Sequence, residues 1–143
     1  EEDADEIFQQ HIEAQCKRLR ILGFTGTPII RGNLNAMDKS LLPSLQTVCT
    51  EILNNIAKHG KPGAFAFILS VGPDAVRIFA SNLYNAAINS APENHYGTAL
   101  IQDFAQQHNG TMTINSENEE WSLSLTIPLA HQVKLMFSPT EKL

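Results

Sequence analysis

Three polar side chains are spaced so that they share one face of a predicted helix. Glu51, Asn55 and Lys58 stand at i, i+4 and i+7, and residues at this spacing are neighbours on a helix surface. An amide oxygen is a hard metal ligand, a carboxylate can act as a base or orient a water molecule, and an ammonium group can bind phosphate. This ridge at the edge of a core could therefore hold a metal–phosphate group. The alternative is a solvated helix face, and the spacing alone favours that plainer interpretation.

The helix that carries the ridge is predicted at about 40–59, because an apolar stripe runs beside the polar residues. The members of the stripe recur with a helical period and are expected to be buried. They are Leu41, Leu45, Val48, Cys49, Ile52 and Ile56. The segment 60–63, which reads Gly-Lys-Pro-Gly, is predicted to end this helix and turn the chain.

The rest of the chain alternates helical and strand patterns. Helices are predicted at 5–22 and 97–108, an edge strand at 24–31, and two hairpins built from strands 64–71 with 75–81 and 111–114 with 121–127. Residues 82–96 have no clear period and are predicted as a loop, and 133–137 could form a further short strand. Three helices over one mixed, mostly antiparallel sheet make a two-layer α/β sandwich.

Composition indicates an ordinary globular chain. Of its 143 residues, 43% are hydrophobic and 17% are charged, so we expect one domain over 1–143, with ends at 1–5 and 130–143 that could be flexible. The net charge of −5 and the scattered basic residues argue against nucleic-acid binding. No apolar run predicts a membrane contact by the chain itself. Cys16 and Cys49 lack metal or redox spacing, so reduced thiols are expected.

The pattern Glu51-xxx-Asn55 followed by Lys58-His59 resembles the N box of the ATP-binding domains of sensor histidine kinases. These domains belong to the GHKL, or Bergerat-type, ATPase superfamily. The resemblance extends from about residue 8 to 128, and the order of the predicted elements agrees with it. It implies a Bergerat-type fold in which the loop 82–96 is the ATP lid, with nucleotide between the lid, the central helix and the sheet.

The resemblance also implies roles for the residues of the ridge. Asn55 would coordinate Mg²⁺, Glu51 would act as catalytic base or orienter, and Lys58 and His59 would stand near the phosphates of ATP. The chain would then be the ATP-binding domain of a cytoplasmic two-component sensor kinase, or the cytoplasmic fragment of a membrane-anchored one. It would pass the γ-phosphate to a histidine on a partner dimerisation domain, upstream of a response regulator. His11 is not expected to be the acceptor, because the family's acceptor lies in a different domain.

The resemblance is weaker at the glycine-rich boxes. The family's G1 box, Asp-x-Gly-x-Gly, binds adenine, whereas the matching positions here are Asn82, Tyr84 and Ala86. Asn82 could still accept a hydrogen bond from the adenine amino group, without the charge assistance of an aspartate. Tyr84 could occupy the adenine pocket. These departures predict weak ATP binding.

The G2 box, Gly-x-Gly-Leu, appears as Gly97-Thr98-Ala99-Leu100 with one of its glycines replaced. The free amides of a helix that begins at Gly97 could still bind phosphate, so Gly97, Thr98 and Leu100 complete the predicted ATP site. The alternative to a kinase domain is a degenerate module that keeps the fold and acts as a docking or regulatory surface in a phosphorelay.

Overall fold

The computed structural model of this chain describes residues 4–84 and 98–129. Three helices lie in one layer: α1 at Ala4–Ile21, α2 at Leu41–His59 and α3 at Thr98–Gln107, with a short 3-10 turn at Leu34–Ala36. The three predicted helices are therefore confirmed to within about two residues at each end.

The second layer is a five-stranded mixed sheet with the order β1-β2-β3-β5-β4. Its strands are β1 at Ile29–Arg31, β2 at Gly60–Val71, β3 at Ala75–Tyr84, β4 at Thr111–Glu117 and β5 at Glu120–Pro128. β1 is parallel to β2, and every other pair is antiparallel. The predicted fold class, a two-layer sandwich with three helices on a mixed sheet, is confirmed.

Three local predictions were wrong in extent. The strand predicted at 24–31 is a strand only from Ile29, and Thr25 makes an isolated bridge to Ala64. Pro28 has no backbone N–H and so cannot donate a hydrogen bond to the neighbouring strand. The segment 60–63 does not form a separate turn, because β2 begins at Gly60. Asn82 and Tyr84 belong to β3 and not to the loop. The rest of that loop and the segment 133–137 lie outside the described residues.

The core lies between the helices and one face of the sheet. The predicted stripe of α2 is buried along its whole length, and Leu45, Cys49, Ile52 and Ile56 are each 0% exposed. The inner face of the sheet contributes alternating side chains from each central strand. None of the three described helices covers the outer face of the sheet, and Ile29, Phe79 and Leu83 are exposed there. Within the described segments, no helix is both long and apolar enough to cross a bilayer.

The two cysteines are free thiols inside the helical layer. Burial, and after it the Glu13 carboxylate, raise the pKa of Cys16 to about 11, against a smaller lowering by Arg20. Burial also raises the pKa of Cys49, and Cys16 adds to that effect. Because the thiolate is the reactive form, both thiols should be inert in the folded protein.

We predict that neither cysteine reacts with a thiol-specific reagent at about pH 8 until the chain unfolds. The folded state also retains protons that the unfolded chain releases above the ordinary thiol pKa of 9.0. The free energy of unfolding should therefore fall as the pH rises from 9.0 toward about 11. Timed labelling with and without denaturant, together with denaturant melts at alkaline pH, checks both statements. Fast labelling of Cys49 in the folded protein would contradict the packing of α1 on α2.

Candidate functional site

The polar ridge of α2 runs from partly exposed to buried and back to exposed. Glu51 is half-buried, Asn55 is only 2% exposed, Lys58 is exposed and His59 is half-buried. The expectation that Asn55 lies at the edge of the core was wrong, because its side chain is as buried as its apolar neighbours. Burying a polar side chain costs free energy unless the side chain is hydrogen-bonded. Asn55 is therefore the residue of the ridge whose burial most needs a structural or functional explanation.

The end of β3 lies beside the C-terminal end of α2. Gly60, the first residue after α2, pairs with Tyr84 in the sheet. Asn82 pairs with Phe65 on one side and with Trp121 on the other. Both aromatic residues are buried, at 6% and 0% exposure. Cross-strand partners place their side chains on the same face, so Asn82 lies on the inner face between two aromatic neighbours.

The amide of Asn82 is only half satisfied. The side chain is 2% exposed, and its Nδ2 donates to the backbone carbonyl of Leu83 at 2.7 Å. Its Oδ1 is buried and accepts no hydrogen bond from the described part of the chain. A buried acceptor left without a donor costs about 1–3 kcal/mol. Oδ1 is therefore an acceptor that a bound group with an N–H could satisfy.

Gly60 is a residue of this site that the sequence prediction treated only as part of a turn. A Cβ at this position would lie 2.5 Å from Asn82 Nδ2, 2.5 Å from the carbonyl oxygen of Ile56 and 3.1 Å from the ring of Phe24. Only a residue without a side chain permits this approach of α2 to β3. The signal available in the sequence was its place directly after Lys58-His59, where the helix must stop beside the sheet.

Tyr84 has its side chain in the core and not in solvent. It is 7% exposed and belongs to the main hydrophobic cluster, and its backbone N–H donates to the carbonyl of Glu119 at 3.0 Å. Near this strand end, Lys61 and Glu119 approach to 4.0 Å, which links the start of β2 to the turn between β4 and β5. The ring of Tyr84 thus lies on the same face of β3 as Asn82. That it fills the space of a base remains a prediction.

The residues predicted from the G2 box are only partly described. Thr98 begins α3 and is half-buried, and Leu100 is 43% exposed. α3 contacts α2, so the two helices lie side by side in one layer. Gly97, and Ala86 of the G1 segment, lie outside the described residues. Among the described candidates, Asn55, Lys58 and His59 belong to the last two turns of α2, and Asn82 and Tyr84 lie beside Gly60, which directly follows that helix.

A groove of about 780 Å³ opens elsewhere, between α1 and β1. It is lined by acidic and amide side chains and by the edge strand, and none of the candidate residues takes part: Glu6, Gln9, Gln10, Glu13, Pro28, Ile29 and Ile30. Because no cation lines it, this groove is poorly suited to phosphate. Residues 4–84 and 98–129 also contain no cluster of three His, Cys, Asp or Glu side chains that could hold a metal.

Solved structures match the fold of this chain, whereas comparison of its sequence with protein families and curated proteins finds no match. No protein-family model matches the chain, and no curated protein does. Among solved structures, a nucleotide-free form of the catalytic domain of the histidine kinase ThkA matches with a TM-score of 0.64 at 11% identity, over 87% of this chain and 92% of that one.

Two longer kinases match equally well. The Acinetobacter baumannii histidine kinase AdeS has a TM-score of 0.65 at 11% identity, over 87% of this chain and 64% of that one. The Erythrobacter litoralis blue-light activated histidine kinase has a TM-score of 0.64 at 12% identity, over 89% of this chain and 43% of that one. At such identities the likeness shows the fold alone. The chain has the fold of histidine kinase catalytic domains.

We predict that Gly60→Ala destabilises the protein by about 1–3 kcal/mol, because the added methyl group forces apart α2 and β3. Gly72→Ala is the matched control, since a Cβ there meets only the Ala75 carbonyl, at 3.5 Å, an ordinary contact. Denaturant melts of the two variants test the difference. Equal stability of both variants would show that α2 does not approach Asn82 as closely as the structure has it.

Proposed function

We propose that this chain is the ATP-binding domain of a two-component sensor histidine kinase. In this role it presents the γ-phosphate of ATP to a histidine on a partner dimerisation domain, and a response regulator receives the phosphoryl group next. The proposal is supported by the fold together with the polar C-terminal end of α2 beside Asn82. It places the domain in the cytoplasm, where response regulators act.

The single observation that carries the proposal is that the buried Oδ1 of Asn82 accepts no hydrogen bond from residues 4–84 and 98–129. Since Nδ2 is committed to the Leu83 carbonyl, the amide offers an acceptor and not a donor to a ligand. The exocyclic amino group of adenine is a suitable donor, and the buried aromatic residues Phe65 and Trp121 flank this position in the sheet. A neutral amide forgoes the charge assistance of a carboxylate, which is worth roughly 1 kcal/mol.

The ridge of α2 supplies the groups for the phosphate end of the ligand. Asn55 has the amide oxygen that a magnesium ion accepts, and Mg²⁺ is commonly held by one or two protein ligands together with phosphate oxygens. Bound Mg-ATP would supply the transferable phosphoryl group and the neutralising charge. Because Asn55 is buried, this role also requires ligand binding to uncover its oxygen.

The remaining candidates have supporting roles in this proposal. Lys58 is exposed and free to turn toward phosphate, and His59 lies one residue further along α2. Glu51 is half-buried two turns earlier, where its carboxylate can orient or deprotonate the attacking group. Amides at the start of α3, with Gly97, Thr98 and Leu100, would bind phosphate through the helix N-terminus. Phosphoryl transfer depends mainly on such positioning and charge neutralisation.

A second candidate function is a non-catalytic docking or regulatory module of a phosphorelay. The burial of Tyr84 favours it, because a ring at 7% exposure on the inner face stands where the family pattern has a glycine that lets the base approach the backbone. The two candidates differ in one measurable property. The kinase domain binds ATP with a dependence on Mg²⁺, whereas the docking module does not.

We predict that Asn55→Ala removes the Mg²⁺ dependence of ATP binding in calorimetric titrations. Because Asn55 is buried, the variant should also lose roughly 1–3 kcal/mol of stability, the usual cost when the removal of one buried polar group leaves its hydrogen-bond partner unsatisfied. Asn54→Ala, a half-buried neighbour on the same helix, is the control and should keep the Mg²⁺ dependence. Unchanged Mg²⁺ dependence in a folded Asn55→Ala protein would refute the metal-ligand role.

We also predict that ATP binds weakly to the parent chain and that Asn82→Asp alone improves affinity by no more than about fivefold. Combining it with Tyr84→Gly should improve affinity well beyond the sum of the single changes, because both sites contact one ligand. Tyr84→Phe keeps the ring and is the control. Thermal melts must accompany the titrations, since removing a buried ring costs about 3–5 kcal/mol. Low micromolar binding by the parent, or tight binding by Asn82→Asp alone, would refute this account of the pocket.

A further inference from the structure

The outer face of the sheet carries an exposed apolar row on three adjacent strands. Ile29 pairs with Ile68, and Ile68 pairs with Phe79, so the three side chains point to the same side. Ile29 is 43% exposed and Phe79 39%, and Ile68 is half-buried. Leu83, also on the outer side of β3, is 37% exposed. The three described helices pack on the opposite face, and α1 borders this row only at the edge strand, where Ile29 also lines the groove beside α1.

A basic row runs parallel to the apolar row, two residues further along the strands. Arg31 pairs with Ser70, and Ser70 pairs with Arg77, so both guanidinium groups lie on this outer face. Both arginines are exposed. Neither Arg31 nor Arg77 has a carboxylate partner among the described residues, whose ion pairs include Arg20–Glu13 and Lys61–Glu119. In a chain with a net charge of −5, two unpaired arginines beside an apolar row form a distinct surface.

We propose that the outer-face patch, meaning Ile29, Ile68 and Phe79 together with Arg31 and Arg77, is a docking surface for an acidic amphipathic helix of a partner protein. The apolar side of that helix would cover the three-residue row. Carboxylates along its edge would pair with the two guanidinium groups. This surface is on the opposite face of the sheet from the candidate nucleotide site, so the inference does not depend on the proposed function.

The spacing of the arginines fits a helix. Arg31 and Arg77 are on β1 and β3, two strand positions apart, which is about 10 Å. Residues two turns apart on a helix are separated by about 10.5 Å along its axis. A helix lying across β1, β2 and β3 can therefore present one carboxylate to each arginine. Its adjacent face would then meet the apolar row, which runs in the same direction.

The size of the patch favours one segment over a second copy of the chain. The three residues of β1 and about six residues on each of β2 and β3 cover on the order of 200 Å², whereas a stable dimer buries about 800 Å² on each partner. The neighbouring part of the same face, on β4 and β5, is polar, with exposed Thr113 and Ser124. It would add little apolar area to a larger interface.

The test uses a designed helical peptide with glutamates about two turns apart along one edge of a leucine stripe, and a second peptide with lysines in place of the glutamates. Fluorescence anisotropy measures the binding of each peptide to the whole chain. The parent should bind the glutamate peptide at least about tenfold more tightly than the lysine peptide, and less tightly as salt is raised. The double variant Arg31→Glu with Arg77→Glu should reverse this preference.

Matched controls separate the patch from general surface effects. Lys17→Glu with Lys39→Glu changes the net charge by the same amount at exposed positions outside the patch and should leave binding unchanged. Phe79→Ser should weaken binding of the glutamate peptide, whereas Ile21→Ser, at a side chain 76% exposed on α1, should not. Thermal melts confirm that each variant is folded.

Three results would overturn the inference. The first is no preference of the parent for the glutamate peptide, and the second is the same preference in the charge-reversed variant. The third is sedimentation that shows a dimer of the parent which Arg77→Glu disrupts, because the patch would then bind a second copy. These peptide-binding and sedimentation measurements are independent of ATP titration. Failure of the docking proposal is therefore distinguishable from failure of the proposed function.

Discussion

The structure depends on the burial of the apolar stripe of α2 against the inner face of the sheet. Leu45, Ile52 and Ile56 are 0% exposed, and burying a side chain of this size contributes about 1.5–3 kcal/mol. α2 also contacts α1, α3, β2 and β3, so it packs on both other described helices and on two strands of the sheet. Because the stripe fixes the rotation of α2 about its axis, it also fixes the direction of the polar ridge beside it.

The position of the candidate site follows from the way α2 ends. No loop separates His59, the last residue of the helix, from Gly60, the first residue of β2. The backbone N–H of Gly60 still bonds to the carbonyl of Ile56, while Gly60 already pairs with Tyr84 in the sheet. The helix end is therefore held against the strand that carries Asn82. A longer connection would allow Lys58 and His59 to move relative to β3, whereas this one holds them within a short distance of it.

The sequence predicts the elements whose side chains follow a clear period and misses those whose side chains do not. The stripe of α2 and the alternation of β5 gave the central helix and a core strand correctly, because burial and residue type agree there. They disagree at Asn55 and Asn82, which are polar and 2% exposed. Residue type placed Asn55 at the rim and Asn82 in a loop.

Backbone contacts explain the other differences. Gly60 and Asn82 lie close together although they are 22 positions apart in the sequence. A local sequence pattern cannot predict such a contact. β3 continues through Asn82 to Tyr84 because the backbone there pairs with neighbouring strands on both sides. The sequence could suggest which residues form a site, but how deeply each side chain is buried depends on these tertiary contacts.

The two departures from the glycine-rich pattern, at Asn82 and Tyr84, support each other physically. With the ring of Tyr84 buried nearby, position 82 is in a closed, largely apolar environment. A carboxylate there would place an acceptor against the Leu83 carbonyl, which is also an acceptor, and would bury a charge without a partner. An amide avoids both costs, because its Nδ2 donates to that carbonyl. Asparagine thus suits the ligand-free protein better than aspartate does, and in the proposed nucleotide site the same residue would weaken the binding of adenine. Oδ1 still costs free energy, because it accepts no hydrogen bond from residues 4–84 and 98–129, and the two proposed functions differ in whether a ligand satisfies that oxygen.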